Sequence, residues 1–183
     1  LCPHFHLSMQ SGCDATLKRM NRKYGTARFF QSAGLLREHF QDPAITTDMI
    51  VGFPGETEEE FEQSLDFIQR CGFSAMHIFP YSKRPGTPAA SMPGQTPKAV
   101  KEERARRAAE IASRMERNYL KQWEEVEVLF EEERDGLWWG HTTRYSKVGV
   151  RSGENLHNQL RKVQVTAVKE NSLLGELLNL ENE

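Results

Sequence analysis

The sequence predicts a mixed fold, with an α/β segment over residues 1–121 and an all-β domain over residues 122–183. In the first segment, strand-like and helix-like apolar periods alternate, which is typical of a parallel sheet whose strands are joined by helices. After Gln122, short alternating stretches are separated by turn residues, which is typical of a small β-barrel. The domain boundary is therefore expected near residues 120–124.

The α/β segment is interpreted as three strands with helices between and after them. We expect strands at residues 4–9, 45–51 and 75–79, and helices at residues 14–21, 26–40 and 57–71 and from residue 96 onward. Thr57 and Glu60 predict a capping box, and Gly72 predicts the end of that helix.

Two other helices are preceded by candidate N-cap residues. Asp14 is expected to cap the first helix, and Thr96 the last one, with Pro97 in its first turn. Between the third strand and this last helix, residues 83–95 are rich in proline and glycine and are expected to form a loop.

All three expected strands end in polar or glycine-containing loops, at residues 10–12, 52–56 and 80–84. In βα barrels the chemistry lies at the carboxyl ends of the strands, so these loops predict one shared site better than three unrelated tight turns. Three strands cannot close a barrel, so we expect the C-terminal part of a partial (β/α) barrel whose other strands lie upstream.

The all-β domain is expected to contain five strands, at residues 125–131, 137–141, 145–151, 162–168 and 173–180. Trp138 and Trp139 are neighbours on one of them. Because successive strand residues point to opposite faces, one of the two tryptophans is expected in the core.

Composition limits the class of protein. The chain has 183 residues and a net charge of −2, which argues neither for nor against a polyanionic partner. No apolar run is long enough to span a membrane, and the opening residues lack the pattern of a signal peptide. Three cysteines do not make a disulfide scaffold, so a cytoplasmic location is expected. The missing initiator Met leads us to expect a fragment.

Several motifs resemble the radical SAM (S-adenosylmethionine) methylthiotransferase family, in the family's order and over nearly the whole chain. They are residues 6–12, 17–24, 47–57 and 77–89. Residues 2–6 and 79–84 are most similar to the branch that acts on threonylcarbamoyladenosine in tRNA. Residues 140–148 resemble the core of the TRAM domain, a small RNA-binding β-barrel.

The resemblance implies the C-terminal half of a radical SAM barrel followed by a TRAM barrel. It implies methylthiolation of N6-threonylcarbamoyladenosine at C2, at position 37 of tRNA, with SAM and [4Fe–4S] clusters as cofactors. The family's C-x-x-x-C-x-x-C motif does not occur here. The chain is therefore expected to hold no metal and no catalytic residue, to be inactive alone, and to need the N-terminal half of the same polypeptide as its partner.

Three alternatives remain open at this point. The first is a family member that modifies an aspartate of a ribosomal protein, and the second is a non-catalytic RNA-binding module. The third is an unrelated βα-barrel enzyme that binds phosphate through its glycine loops, although no common nucleotide-binding glycine motif occurs here.

The resemblance also implies which residues bind SAM: Gln10, Ser11, Arg22, Ile50, Val51 and Gly52. Gln10 and Ser11 would hydrogen-bond to SAM, and Arg22 would pair with its carboxylate, unless Arg22 is an ordinary surface cation. The other three would lie against adenine, although Ile50 and Val51 also fit an ordinary core.

Five further residues are expected to contact the modified base or the RNA: Tyr81, Arg84, Arg144, Tyr145 and Lys147. Aromatic faces and cations are what RNA recognition requires. Against this, residues 122–183 hold twelve acidic and seven basic side chains, so the cations would have to share one face. On the long helix, arginines 104, 107 and 114 either form a solvated face or add to an RNA-facing surface.

Overall fold

The computed structural model describes residues 2–178, which form two compact units. One unit, here called the α/β unit, covers Phe5–Met115. The other, called the barrel unit, joins the first residues up to His4 with the chain from Glu116 onward. The end of the strand expected at 173–180, and of the domain expected at 122–183, lies outside the described residues.

A three-stranded sheet and its helices make up the first part of the chain. The strand order is β1-β2-β3, and β2 and β3 run parallel. The elements are β1 (His4–His6), α1 (Asp14–Arg19), α2 (Thr26–His39), β2 (Ala44–Val51), α3 (Glu58–Cys71), β3 (Ala75–Pro80), α4 (Pro88–Ser91) and α5 (Lys98–Leu120).

The two faces of this sheet differ. Along β2, burial alternates, and Ile45, Met49 and Val51 enter one core with residues of α2, α3 and α5, among them Phe29, Phe61 and Ala108. The intervening residues Thr46, Asp48 and Ile50 are only partly buried, and Phe79 of β3 is half exposed. One face is therefore packed against helices, and the opposite face carries accessible side chains.

Helix α3 begins and ends as its sequence predicts. The Glu60 backbone N–H donates to the Thr57 hydroxyl at 3.2 Å, and the Thr57 N–H donates to the Glu60 carboxylate at 3.1 Å. Gly72 ends the helix in the left-handed conformation, with φ of 61°. The capping box and its stop at glycine are confirmed, because both depend on residues close in sequence.

Three local predictions were wrong. Asp14 does not cap its own helix, since its carboxylate accepts from the Thr26 N–H at 2.7 Å, at the start of α2. Helix α5 begins at Lys98, and the Thr96 hydroxyl donates to the Phe53 carbonyl at 3.5 Å. The loop expected at 83–95 contains the short helix α4. In the first two cases, the side chain expected to cap its own helix forms a hydrogen bond with a backbone group elsewhere in the chain.

Five strands close into a barrel in the second unit, in the order β4-β5-β6-β8-β7. They are β4 (Glu125–Arg134), β5 (Leu137–Thr142), β6 (Lys147–Val150), β7 (Leu160–Lys169) and β8 (Ser172–Leu177). All neighbours are antiparallel except β6 and β8. The five-stranded β-barrel is confirmed, and Trp138 is the tryptophan that enters its core.

One strand of the barrel starts later than expected. Residues 145–151 were predicted as a strand, but Tyr145 lies in a turn with φ of 63°, and β6 begins at Lys147. The Thr142 hydroxyl accepts the N–H groups of Arg144 and Ser146, both at 3.2 Å. This turn satisfies the backbone locally, which removes Tyr145 from the strand pairing.

Within residues 2–178, none of the helices combines the length and the apolar character that a membrane crossing requires.

Candidate functional site

A cavity of about 550 Å3 lies within the α/β unit, at the carboxyl ends of β2 and β3. This volume is in the range of about 300–1,000 Å3 that small-molecule sites occupy. Five predicted site residues line it together: Gln10, Arg22, Ile50, Tyr81 and Arg84. Three of the six residues expected to bind the cofactor therefore border one cavity with the two residues at the end of β3 that are expected to meet the modified base.

The backbone at Gln10 extends the sheet toward this cavity. Its N–H donates to the Asp48 carbonyl and its carbonyl accepts from the Ile50 N–H, both at 2.9 Å. Gln10 adopts a left-handed φ of 68°, which is uncommon for a residue with a side chain. The two hydrogen bonds to β2 hold this conformation and place Gln10 at the cavity wall.

Arg22 reaches the cavity from the end of α1. Its backbone N–H donates to the Leu17 carbonyl at 3.0 Å, and its side chain is exposed. Nearby, the Tyr24 hydroxyl donates to the Ser8 carbonyl at 2.7 Å. Burial raises the pKa of Tyr24, and the charge of Arg22 acts in the opposite direction. Arg22 thus gives the cavity an accessible positive charge.

The structure places Ser11, Val51 and Gly52 behind the cavity wall. Ser11 is fully buried, and its hydroxyl lies 3.3 Å from that of Ser64. Val51 belongs to the core, while Gly52 has a φ of 70° and is covered by Lys101. A Cβ at Gly52 would lie 2.3 Å from Lys101 Cγ. The space that glycine leaves at this position is taken by a side chain of α5.

Aromatic residues form the opposite wall. The rings of Phe53 and Tyr81 meet edge to face with centroids 5.3 Å apart, and the Tyr81 N–H donates to the Val51 carbonyl at 2.8 Å. The Tyr81 hydroxyl oxygen is buried, with no hydrogen-bond partner among residues 2–178. Buried polar atoms are normally hydrogen-bonded, so this oxygen is an exception within the wall.

Sequence reasoning missed Asp48, which also lines the cavity. Its carboxylate lies 3.3 Å from His6 Nε2, and His6 Nδ1 lies 3.0 Å from the Thr46 hydroxyl. Asp48 pairs in register with His77 of β3. The indication was present in the sequence, because a carboxylate within an apolar, β-branched strand is costly unless its face is open.

The loop after β2 is held by buried charges. The Glu56 carboxylate accepts the Gly52 N–H at 2.6 Å and an Arg104 N–H at 2.9 Å. Burial raises the pKa of Glu56, while the Gly52 hydrogen bond and Arg104 oppose that shift. The Arg104 side chain is only 6% exposed, so it fits neither of the two alternatives that the sequence left open, a solvated face or an RNA-facing surface.

Three carboxylates on α3 are also paired. Arg107 contacts Glu58 and Glu62, and its hydrogen bond lowers the pKa of Glu58. Arg19 contacts Glu60 and lowers the pKa of that carboxyl in the same way. Most of the charges around this loop are therefore engaged within the unit.

The barrel unit carries the three remaining predicted residues. Tyr145 is 68% exposed, and its ring stacks on His141 with centroids 4.6 Å apart and planes at 16°. Lys147 Nζ lies 4.7 Å from the Trp139 ring centroid, and Arg144 lies 4.5 Å over the Trp123 ring. This surface therefore combines accessible aromatic faces with cations.

Known proteins resemble this chain over most of its length. Residues 2–68 match the family model of the radical SAM superfamily. A threonylcarbamoyladenosine tRNA methylthiotransferase, MtaB, of Bacillus subtilis is 40% identical over 169 residues, which cover 88% of this chain and 38% of that protein. A tRNA-2-methylthio-N(6)-dimethylallyladenosine synthase of a Thermoanaerobacter species is 42% identical over 185 residues, covering 98% of this chain and 39% of that protein.

The chain belongs to the radical SAM methylthiotransferase family. It spans about two fifths of the length of the curated relatives that it matches. The closed five-stranded barrel is compatible with a TRAM-like barrel.

Methylthiotransferases of this family use SAM, and the cavity fits it. SAM carries a carboxylate, a cationic centre and a flat adenine ring. The cavity offers the guanidinium of Arg22, the amide of Gln10 and the carboxylate of Asp48 beside the rings of Phe53 and Tyr81.

Iron–sulfur clusters require a different set of residues. Among residues 2–178, no group of three or more His, Cys, Asp or Glu side chains is placed to hold a metal ion. Cys13 and Cys71 are buried and Cys2 is exposed. These residues do not fit a cluster, and we derive no chemical step through one.

Proposed function

We propose that this chain forms one wall of the SAM site and the RNA-binding barrel of a tRNA methylthiotransferase. The observation that best supports this proposal is a single cavity at the ends of parallel strands. It is lined by Gln10, Arg22, Ile50 and Tyr81. Family membership and the names of its relatives support the same activity. When bound, SAM supplies the radical chemistry of the family.

Within this proposal each residue of the cavity has a binding task. Arg22 pairs with the SAM carboxylate, because a guanidinium offers parallel N–H donors that match two oxygens. Gln10 donates or accepts a hydrogen bond at the neighbouring strand end. Ile50 and Phe53 provide apolar contact for the adenine ring, while Val51 and Gly52 support this wall from behind.

The accessible face of the sheet supports a partial radical SAM barrel. Phe79 is half exposed on that face, and Asp48 and His77 lie there in register. Ile50 and Phe79 both border the cavity on this face, and contiguous exposed apolar surface marks a site of interaction with further structure. We assign this cover to strands from the N-terminal half of the same polypeptide. Because that half would also carry the cluster cysteines, we expect this chain to be inactive by itself.

The proposed nucleoside is N6-threonylcarbamoyladenosine at position 37 of tRNA, modified at C2. Tyr81 and Arg84, at the end of β3, would face this base from the same cavity. The relatives described above are named for tRNA substrates, so a ribosomal-protein substrate is not favoured. They differ in the adenosine that their names give, and a direct comparison of the two is therefore required.

In the barrel unit, Tyr145 is assigned to base stacking, and Arg144 and Lys147 to phosphate contacts. A stacked base contributes about 1–3 kcal/mol to single-stranded RNA binding. The excess of acidic residues in this part of the chain makes such binding depend on cations gathered on one surface.

The SAM assignment is tested by calorimetric titration of the full-length enzyme with S-adenosylhomocysteine. Arg22→Ala should weaken binding about tenfold or more, since hydrogen bonds to charged groups contribute roughly 1.5–3 kcal/mol. Arg28→Ala is the control, because Arg28 is exposed on α2 and donates to Gln31. Equal affinity of the Arg22 variant and the unmodified chain would remove Arg22 from the site.

The RNA assignment is tested with anticodon stem-loops that carry threonylcarbamoyladenosine, dimethylallyladenosine or plain adenosine at position 37. We expect the first to bind most tightly, and Tyr145→Ala to weaken binding about tenfold by loss of stacking. Leu160→Ala is the control, since Leu160 is 57% exposed on β7. Equal binding of all three RNAs would reject the proposed nucleoside, and an unaffected Tyr145 variant would reject the role of this surface.

A further inference from the structure

We propose that Arg104 and Lys101 of α5 are positioning residues that set the affinity for SAM by holding the two strand-end loops of the cavity. Neither residue was assigned this task by sequence. The inference rests on the proposed function, in which the cavity binds SAM.

Arg104 acts on the loop after β2. Its guanidinium donates to the Glu56 carboxylate at 2.9 Å and to the Glu56 carbonyl at 3.1 Å. The same carboxylate oxygen accepts the Gly52 N–H at 2.6 Å. Gly52 lies between Ile50 and Phe53, which both line the cavity. A chain of three contacts thus runs from α5 to that wall.

Lys101 acts on both loops, one turn earlier on the same helix. Its ammonium donates to the Tyr81 carbonyl at 2.8 Å, at the end of β3. Its methylene chain covers Gly52, where any added Cβ would meet Lys101 Cγ at 2.3 Å. A single side chain therefore contacts the loops after both β2 and β3.

The ion pair between Arg104 and Glu56 is better suited to positioning the loop than to stabilising the fold. Arg104 and Glu56 are buried, and one Glu56 oxygen has no hydrogen-bond partner among residues 2–178. A buried ion pair that lacks full hydrogen bonding is weak evidence for stability, because removing both charges from water costs as much as their attraction returns. What it supplies is a defined geometry, since the arginine fork binds in fixed directions.

The first variant is Arg104→Lys, which keeps the positive charge and loses the fork. Its matched control is Arg106→Lys on the same helix, because the ion pairs that Arg106 makes within residues 2–178, with Glu103 and Glu110, are exposed. Calorimetric titration of the full-length enzyme with S-adenosylhomocysteine at 15 °C should show an affinity about tenfold lower for Arg104→Lys. Small displacements of the residues that position a ligand have large effects on its interactions. The control should bind as the unmodified chain does.

A second variant covers the case in which Arg104→Lys does not fold. Lys101→Met keeps the methylene chain over Gly52 but removes the donor to Tyr81, so the fold should persist while affinity falls severalfold. Lys98→Met is its control, because the Lys98 side chain is 87% exposed. Within residues 2–178, its one ion pair is with Glu102.

Hydrogen exchange of the Gly52 amide gives a readout that needs no ligand. We expect faster exchange in Arg104→Lys than in Arg106→Lys, since the acceptor of this amide is no longer fixed. A lower melting temperature with unchanged affinity and unchanged Gly52 exchange would show a merely structural role and overturn the inference. If the unmodified full-length enzyme itself binds no S-adenosylhomocysteine, the proposed function fails together with it. Normal binding by both variants overturns the inference alone.

Discussion

Within residues 2–178, every strand of the barrel unit is hydrogen-bonded to two neighbours, whereas β1 and β3 of the α/β sheet each have one. The barrel encloses an apolar core in which Val128, Phe130 and Leu173 are fully buried. The α/β sheet buries one face and leaves Asp48, Ile50 and Phe79 accessible on the other. The cavity lies at the carboxyl ends of β2 and β3 in the open sheet, whereas the closed barrel presents Tyr145 from a turn.

The two units also have separate cores, and each core can be disturbed by itself. This separation is convenient to measure, because all three tryptophans lie between residues 123 and 139. Tryptophan fluorescence therefore reports on the barrel unit, and far-UV circular dichroism is dominated by the helices of the α/β unit.

The largest effect is expected for Phe61→Ala in the α/β core. Phe61 is fully buried, and the guanidinium groups of Arg104 and Arg107 lie 5.3 and 5.0 Å from its ring centroid. Loss of such a ring costs about 3–5 kcal/mol. Urea unfolding followed by circular dichroism should shift strongly, while the tryptophan transition should not. Phe30→Ala, at a 40% exposed position of the same unit, is the control. An equal shift of both transitions would contradict the independence of the cores.

A smaller effect, confined to the barrel, is expected for Gly140→Ala. A Cβ there would lie 2.1 Å from the Leu129 carbonyl oxygen and 2.8 Å from Phe130 Cα, both backbone atoms of β4. Such overpacking costs about 1–3 kcal/mol. The tryptophan transition in urea should move to lower concentration. Gly153→Ala provides the matched comparison, since no atom lies within 4 Å of its added Cβ. Equal stability of the two variants would show that β4 and β5 can separate without cost.

The smallest effect is expected for Thr57→Ala at the start of α3. Loss of the capping hydroxyl costs about 1 kcal/mol. Circular dichroism in urea should register it, and Thr57→Ser should retain most of the stability because its hydroxyl still accepts the Glu60 N–H. If Ala and Ser variants unfold at the same urea concentration, the capping box contributes nothing to the α/β unit.

Features that depend on neighbours in sequence were predictable. Alternation of apolar residues gave the five barrel strands, and Thr57, Glu60 and Gly72 marked the ends of α3 correctly. The errors arose where a side chain had a choice of partners. Asp14 caps α2 instead of its own helix, and Arg104 is buried against Glu56 although its helix position looks solvent-facing.

By itself, the sequence determined the order of strands and helices, the barrel, and the motifs that identify the family, because each is written in local pattern and residue type. Only the tertiary structure decided that Gln10, Arg22 and Tyr81 share a cavity with Asp48, and that Ser11 and Gly52 lie behind its wall. Those outcomes depend on which distant side chain fills each space, as Lys101 does at Gly52. Contacts between residues that are tens of positions apart depend on how side chains pack in three dimensions. Such packing leaves no periodic pattern in the sequence from which it could be predicted.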